Sequence, residues 1–420
     1  MPPSPNPSAR LPWLPWPGAV VALVVVLAWG TALTTPYLAN ALGLGPTGPF
    51  LDLQGILAAN EAAGRGLDPY ALNPLDAYHR PFLYSTWWLW PGSPGLTRAD
   101  TTWLGWLLVA ATLVTALLMW RVRNRREALV AGLILLSPAW LLAVYRANND
   151  LVIFVLLALA VWALQRSHRA GRAVGALLTG AMVILKYYPV AAIIGLLRAA
   201  RRREVLVLFA LVAGVVVLGW PSLLPAIAAI SHYGFLVTAS VGLEAFGVKV
   251  LGESLAPYVP SAVGGFAGLA AIAAGYQLAQ GNTAAAPSSP EGENRLMSAA
   301  VFGAVLLGCF LIGTSYNYKL VFLWGLLPWL VRDAPEILGR KKARVLLVLL
   351  IAACWADGLV ATVVNTLGPG WSQAERRHAL TFSHGFSIIS QLGYWVIMGA
   401  SLRLALDWSR QQFSRLAAAA

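Results

Sequence analysis

Carboxylates are scarce in this chain, so the few that stand beside cations draw attention. Its 420 residues include 17 Asp+Glu against 30 Lys+Arg. Asp52 follows Gly48-Pro49-Phe50-Leu51. A second polar group reads Tyr145-Arg146-Ala147-Asn148-Asn149-Asp150, and a third Lys186-Tyr187-Tyr188-Pro189. A fourth, Gly313-Thr314-Ser315-Tyr316-Asn317-Tyr318-Lys319, separates two apolar runs, and Arg376, Arg377, His378 and His384 make a fifth. One carboxylate can accept a proton from a hydroxyl while neighbouring cations hold an anion. That combination suits transfer of a sugar from a lipid phosphate. The leaving group is then a phosphate monoester, which needs cations and little proton donation. Asp52 is the candidate base, and its plain alternative is a helix N-terminal cap. Lys186, Lys319, Arg376, Arg377 and His378 are candidates for the phosphate. Lys186 has a plain alternative as a snorkelling interfacial lysine, and Arg146 as a simple partner of Asp150. Asp357, inside an apolar run, is a further candidate by its placement.

The elements that must position these residues follow from composition. Apolar residues make up 58% and charged residues 11%, with a formal net charge of +13. A soluble chain of this length could not cover its surface with so little charge, which excludes a cytosolic enzyme, a disordered chain and a nucleic-acid binder. The composition predicts an all-α, polytopic membrane protein. Runs long enough to cross a bilayer cover 18–40, 102–120, 127–145, 150–165, 204–220, 261–279, 296–313, 343–366 and 385–405. Residues 173–197 are apolar but broken at Lys186, which predicts two short helices, 173–185 and 187–198. Residues 318–331 form a short apolar piece. The total is about 11–12 transmembrane or re-entrant helices.

Basic residues orient the chain. With the Arg clusters at 121–126, 166–172, 198–203 and 332–344 on one side, that side holds 21 Lys+Arg and the other holds 9. Both termini are therefore expected in the cytoplasm of a bacterial cell, and the candidate site outside its inner membrane. The expected organisation is a disordered tail 1–17, one transmembrane domain 18–405 and a cytoplasmic tail 406–420. The outer loops are 41–101, 221–260 and 367–384, and 280–295 is a flexible inner linker. Ala39-Asn40-Ala41 also resembles a signal-peptidase site, but the run before it is long for a signal peptide. Pro49 and Gly66 bracket an amphipathic helix in the first outer loop, with Leu53, Ile56, Leu57 and Asn60 on one face. Cys309 and Cys354 lie in apolar runs and read as small buried hydrophobes. No nucleotide-binding motif and no metal-ligand spacing occurs.

The pattern resembles the GT-C glycosyltransferases. More narrowly, it resembles glycosyltransferase family 87, the polyprenyl-phosphate-mannose-dependent α-1,2-mannosyltransferase-like proteins. Asp52 with the helix leading to Gly66-Leu67-Asp68-Pro69-Tyr70, Asn148-Asn149-Asp150, Lys186-Tyr187-Tyr188-Pro189, and Tyr316-Asn317-Tyr318-Lys319 before Leu327-Pro328 carry the resemblance. It spans roughly residues 20–405. It implies a GT-C fold, an inverting hexose transfer from a polyprenyl-phosphate sugar to a glycolipid or glycan, and Asp52 as general base. Asp68, Tyr70, Arg80, Asn148, Asn149, Asp150, Tyr187, Tyr316 and Asn317 become candidates for contacting substrate. Tyr316-Asn317-Tyr318 stands where the family often has a histidine. No cofactor and no metal is expected, since the lipid-phosphate sugar is a co-substrate. The expected partners are the bilayer, donor and acceptor, with no nucleic acid. The competing classes are a multi-pass transporter or lipid flippase, and a lipid-linked polysaccharide polymerase or ligase.

Overall fold

The computed structural model describes residues 15–42, 44, 48–71, 73–92, 95–199, 201–230, 240–241, 260–281, 289–311, 315–367 and 373–418. Residues 1–14 of the expected tail 1–17, most of the 221–260 loop and residues 282–288 of the expected linker therefore lie outside the described residues. The rest of that linker is not loose, since 290–295 open the helix Pro290–Leu311. The regular structure of the described residues is helical apart from a two-residue antiparallel pairing, Ser240–Val241 with Ser315–Tyr316. Among the described residues, four helices are long and apolar enough to cross a membrane, or five if the bent pair Arg125–Leu135 and Pro138–Arg146 counts as one. Their outward faces are apolar as well. Leu23, Val26 and Leu27 of Trp16–Thr34 and Leu206, Val217 and Leu218 of Arg202–Gly219 are exposed. Apolar surface on this scale belongs against lipid.

Proline places the bends. The expected span 18–40 is split by Thr35-Pro36 into Trp16–Thr34 and Pro36–Ala41. The expected span 127–145 bends by 54° where Ser137 precedes Pro138. Proline disfavours helical geometry in the residue before it, and Ser137 is extended and caps the second half. The 173–197 run divides as its sequence implies, into the Arg169–Leu185 helix and the Tyr188–Arg198 3-10 helix, with Pro189 in the first turn of the second. Residues 317–332 form another 3-10 helix, Asn317–Leu326, continued by Leu327–Arg332. At the C-terminus one helix runs Gln373–Ala418. It takes in both the stretch 373–384, expected as outer loop, and 406–418, expected as a tail. Trp408, Gln412 and Leu416 are buried on it, so packing extends the helix past the apolar run.

Charge collects in two layers. In one, Arg332 pairs with Glu127, Arg172 with Glu204, Arg198 with Glu293, and Arg295 with Asp333. In the other lie the start of Leu51–Gly64, the end of Pro138–Arg146, the start of Asn149–Leu164, the end of Arg169–Leu185 and the start of Asn317–Leu326. A large apolar core lies between them, with Trp29, Trp140, Phe154, Phe302 and Trp324 fully buried. Both cysteines are buried and free.

Candidate functional site

Leu51–Gly64 forms the helix expected between Pro49 and Gly66. Ile56, Leu57 and Asn60 are buried on it, and Leu53 is half-buried. Ile56 and Ala59 pack with Phe82 beneath Tyr70, Tyr84 and Trp88. The loop is pinned to the membrane-level break, since Trp88 Nε1 donates to the Leu185 carbonyl at 3.0 Å. Asp52 does not cap this helix. The N-cap position is Phe50, in the left-handed region at φ 68°, and makes no side-chain capping bond. The Phe50 N–H instead donates to the Tyr145 carbonyl at 2.6 Å, which ties the start of this helix to the end of Pro138–Arg146.

That tie delivers Asp52 to Arg146. Arg146 Nε donates to Asp52 Oδ2 at 3.0 Å and Nη2 donates to Oδ1 at 2.8 Å. Asn148 Nδ2 donates to Oδ2 at 2.5 Å, and Arg80 Nη1 stands 4.0 Å from Oδ1. The alternative partner for Arg146, Asp150, is engaged elsewhere. Lys186 Nζ and the Tyr188 hydroxyl both donate to Asp150 Oδ1. Lys186 is therefore paired with a buried carboxylate and largely enclosed, not snorkelling. Lys319 lies 4.9 Å from the Tyr188 ring centroid and acts on both Asp150 and Lys186 through its charge.

Asn148 joins the two carboxylate centres. It is the N-cap of Asn149–Leu164, its Oδ1 accepting the Asp150 N–H at 2.8 Å while its Nδ2 holds Asp52. Tyr84 lies within electrostatic reach of Asp52 and Asp150, and burial pushes its phenol up. Arg80 is itself held by Asp76, with Nε and Nη2 donating at 3.0 and 2.9 Å. Burial of Asp76 favours its neutral form, but Arg80 and the backbone N–H groups of Tyr78 and Arg80 outweigh it and hold the carboxyl below its ordinary range. Among the described residues, Asp52, Asp76 and Asp150 thus face Arg80, Arg146, Lys186 and Lys319.

Several polar atoms in this layer are buried without a hydrogen-bond partner: both side-chain atoms of Asn149, Asp150 Oδ2 and Asn317 Oδ1. Buried polar atoms without partners are costly, so they mark where a ligand or water is needed. Other candidates fall away from the centre. Asp68 is exposed and accepts the Tyr70 N–H, a local turn, and the Tyr70 hydroxyl donates to the Tyr84 carbonyl at 2.9 Å. Tyr187 is 36% exposed and packs edge-on against Tyr188. Arg376, Arg377, His378 and His384 lie in the Gln373–Ala418 helix, Asp357 in Arg340–Leu367, and Tyr316 in the short strand, with side chains outside the described residues. Among the described residues no group of His, Cys, Asp and Glu could hold a metal.

Arg146 as the partner of Asp52, Tyr188 as a ligand of Asp150, and Tyr84 between the centres are not separable from belt and packing residues by sequence. Only the Tyr187-Tyr188 pair after Lys186 signals one of them. No family model matches the chain, and neither a curated protein nor a solved structure matches it.

Proposed function

We propose that the protein is an inverting glycosyltransferase that takes a hexose, mannose by the family resemblance, from a polyprenyl-phosphate donor. The acceptor is a glycolipid or glycan. In this reading the chain has the GT-C architecture with 11–12 membrane or re-entrant helices. Both termini are in the bacterial cytoplasm, and the Asp52 layer faces outward.

The observation that carries the reading is the joining of two carboxylate centres through Asn148 in a layer that also holds Arg80, Arg146, Lys186 and Lys319. A carboxylate offers about four acceptor positions. Arg146 and Asn148 fill two on Oδ2, and Arg146 fills one on Oδ1. Oδ1 keeps one, and it takes the proton of the acceptor hydroxyl. The acceptor oxygen bonds the anomeric carbon as the carbon–oxygen bond to phosphate breaks, and the electron pair leaves with the polyprenyl phosphate. Attack opposite the leaving group inverts the carbon. Lys186 and Lys319 supply charge for the departing phosphate. Bound phosphate would compete with Asp150 for Lys186. The unpartnered atoms of Asn149 and Asn317 are available to sugar hydroxyls.

The test is transfer from a radiolabelled polyprenyl-phosphate mannose by membranes that contain the protein. A labelled lipid or glycan product, absent from membranes without it, is expected. No product from polyprenyl-phosphate mannose, glucose or arabinose with an extract of endogenous acceptors would overturn the reading.

A further inference from the structure

The layer opposite Asp52 contains a cavity of about 490 Å³. Arg126 lies on it, in the first turn of the bent helix pair whose far end carries Arg146. The site and the cavity therefore sit at opposite ends of one bent helix. Arg332, Arg340 and Arg344 complete four guanidinium groups around the cavity, and Glu336 is the one carboxylate among its described lining residues. Arg332 is already held by both oxygens of Glu127. Arg126, Arg340 and Arg344 are exposed and make no ion pair among the described residues.

Two features separate this cavity from an ordinary topogenic cluster of arginines. The first is the helix that carries half of it. Arg340–Leu367 opens with Arg340-Lys341-Lys342-Ala343-Arg344, with no acidic residue in the first turn. A helix start carries partial positive charge, so cations there repel both it and one another. An anion in the cavity relieves that repulsion. The second feature is the wall. Leu330, Val331 and Leu347 line the same cavity, and Val345 and Val348 continue an exposed apolar face along the helix. A cationic mouth that runs into apolar surface fits a charged headgroup attached to an acyl chain.

We propose that this cavity binds the phosphate of an anionic phospholipid, with Arg126, Arg340 and Arg344 as its ligands and the Leu330–Leu347 wall against the first part of the acyl chain. The site is separate from the Asp52 centre and does not rest on the proposed transferase reaction.

The experiment uses the full-length protein in detergent, stripped of lipid and offered equal amounts of phosphatidylglycerol and phosphatidylcholine of the same chain length. Retained lipid is counted by native mass spectrometry. Phosphatidylglycerol should be preferred, and Arg340→Gln/Arg344→Gln should lower that preference roughly tenfold to thirtyfold, the value of two charges near a headgroup. Arg126→Gln alone should lower it by a smaller factor. Melting temperatures in phosphatidylcholine report whether each variant is folded, and Leu347→Gln tests the wall without touching a charge. Equal binding of the two lipids, or an unchanged preference in the folded double variant, would overturn the proposal. Displacement of phosphatidylglycerol by millimolar inorganic phosphate or glycerol phosphate would overturn the lipid as the source of the phosphate.

Discussion

Arg146 grips both carboxylate oxygens of Asp52 across 94 residues of sequence. The grip is bidentate, which fixes the plane of the carboxylate as well as its position. It also decides what Asp52 can do. Asp52 is 8% exposed, and a buried anion is stable only when paired. Arg146 supplies that pairing and leaves one acceptor position on Oδ1, the position that the proposed reaction uses. Phe50 makes this possible by turning into the left-handed region, since its N–H then reaches the Tyr145 carbonyl beside Arg146.

Asp52→Asn separates the chemical role from the structural one. The amide is nearly the same size and cannot accept the proton. Transfer should fall by about 10²–10⁴-fold, the usual contribution of a general base. Labelled-product assays at saturating donor measure the rate, and melting in detergent measures folding. The variant also leaves Arg146 unpaired, so some loss of melting temperature is expected in either case. A purely structural Asp52 would show a near-normal rate when the variant is assayed well below its own melting temperature. Arg146→Lys keeps the charge but loses the fork, so it should leave a folded protein with partial activity.

Asp150 has no exposed surface, and Lys186 is its ion-pair partner. Removing one charge of a buried pair leaves the other uncompensated, at a cost of about 3–5 kcal/mol. Asp150→Asn and Lys186→Met should each lower the melting temperature strongly, and the double variant should recover part of the loss. Thermal unfolding of all four proteins in one detergent measures the coupling. Additive losses would mean that the two residues do not act as a pair.

The sequence exposed the layer but not its wiring. An apolar chain makes each polar group conspicuous, so Asp52, Asn148-Asn149-Asp150, Lys186 and Lys319 could be found without a structure. The surface helix was legible because Pro49 and Gly66 bracket it and its apolar positions keep helical spacing. Partner choice was not legible. Arg146 is four residues from Asp150, which makes that pairing the local expectation. The left-handed Phe50 and the Asn148 cap send it to Asp52 instead. The 54° bend at Pro138 was also hidden, because the apolar run continues through it and hydropathy alone does not register a backbone break.

Acid should loosen the first loop before the membrane core. Arg98 bonds Glu61 and holds its carboxyl below the ordinary 4.5, and Arg80 does the same for Asp76 below 3.8 against the opposing effect of burial. A carboxylate whose folded pKa is depressed stabilises the fold fully above its unfolded value, and that stability is lost as pH falls through the folded value. Resistance of the 60–84 segment to a protease active in acid should therefore decline as pH drops from about 5 towards 3. Asp76→Asn should remove part of that dependence and weaken the segment at neutral pH as well. A segment equally resistant at pH 3 and pH 7 would show that these pairs do not hold it.

Gly105 tests whether the placement of Asp52 limits the rate. It lies on Thr101–Met119 facing Phe50, and a Cβ there would stand 2.4 Å from the Phe50 ring, with two more ring atoms within 2.7 Å. Alanine at this position must displace Phe50, which is fully buried and precedes Leu51 and Asp52. A displacement on the order of 1 Å at the base costs about 10²-fold in rate. Gly105→Ala should therefore cut transfer by at least tenfold, with a shift in kcat larger than in KM. Gly132→Ala is the control, since a Cβ there meets nothing within 4 Å and the change favours helix. It should keep full activity and melt at the same temperature or higher. If Gly105→Ala lost stability but kept its rate, Phe50 would be serving the packing of the loop alone, and the position of Asp52 would be set by Arg146 and Asn148.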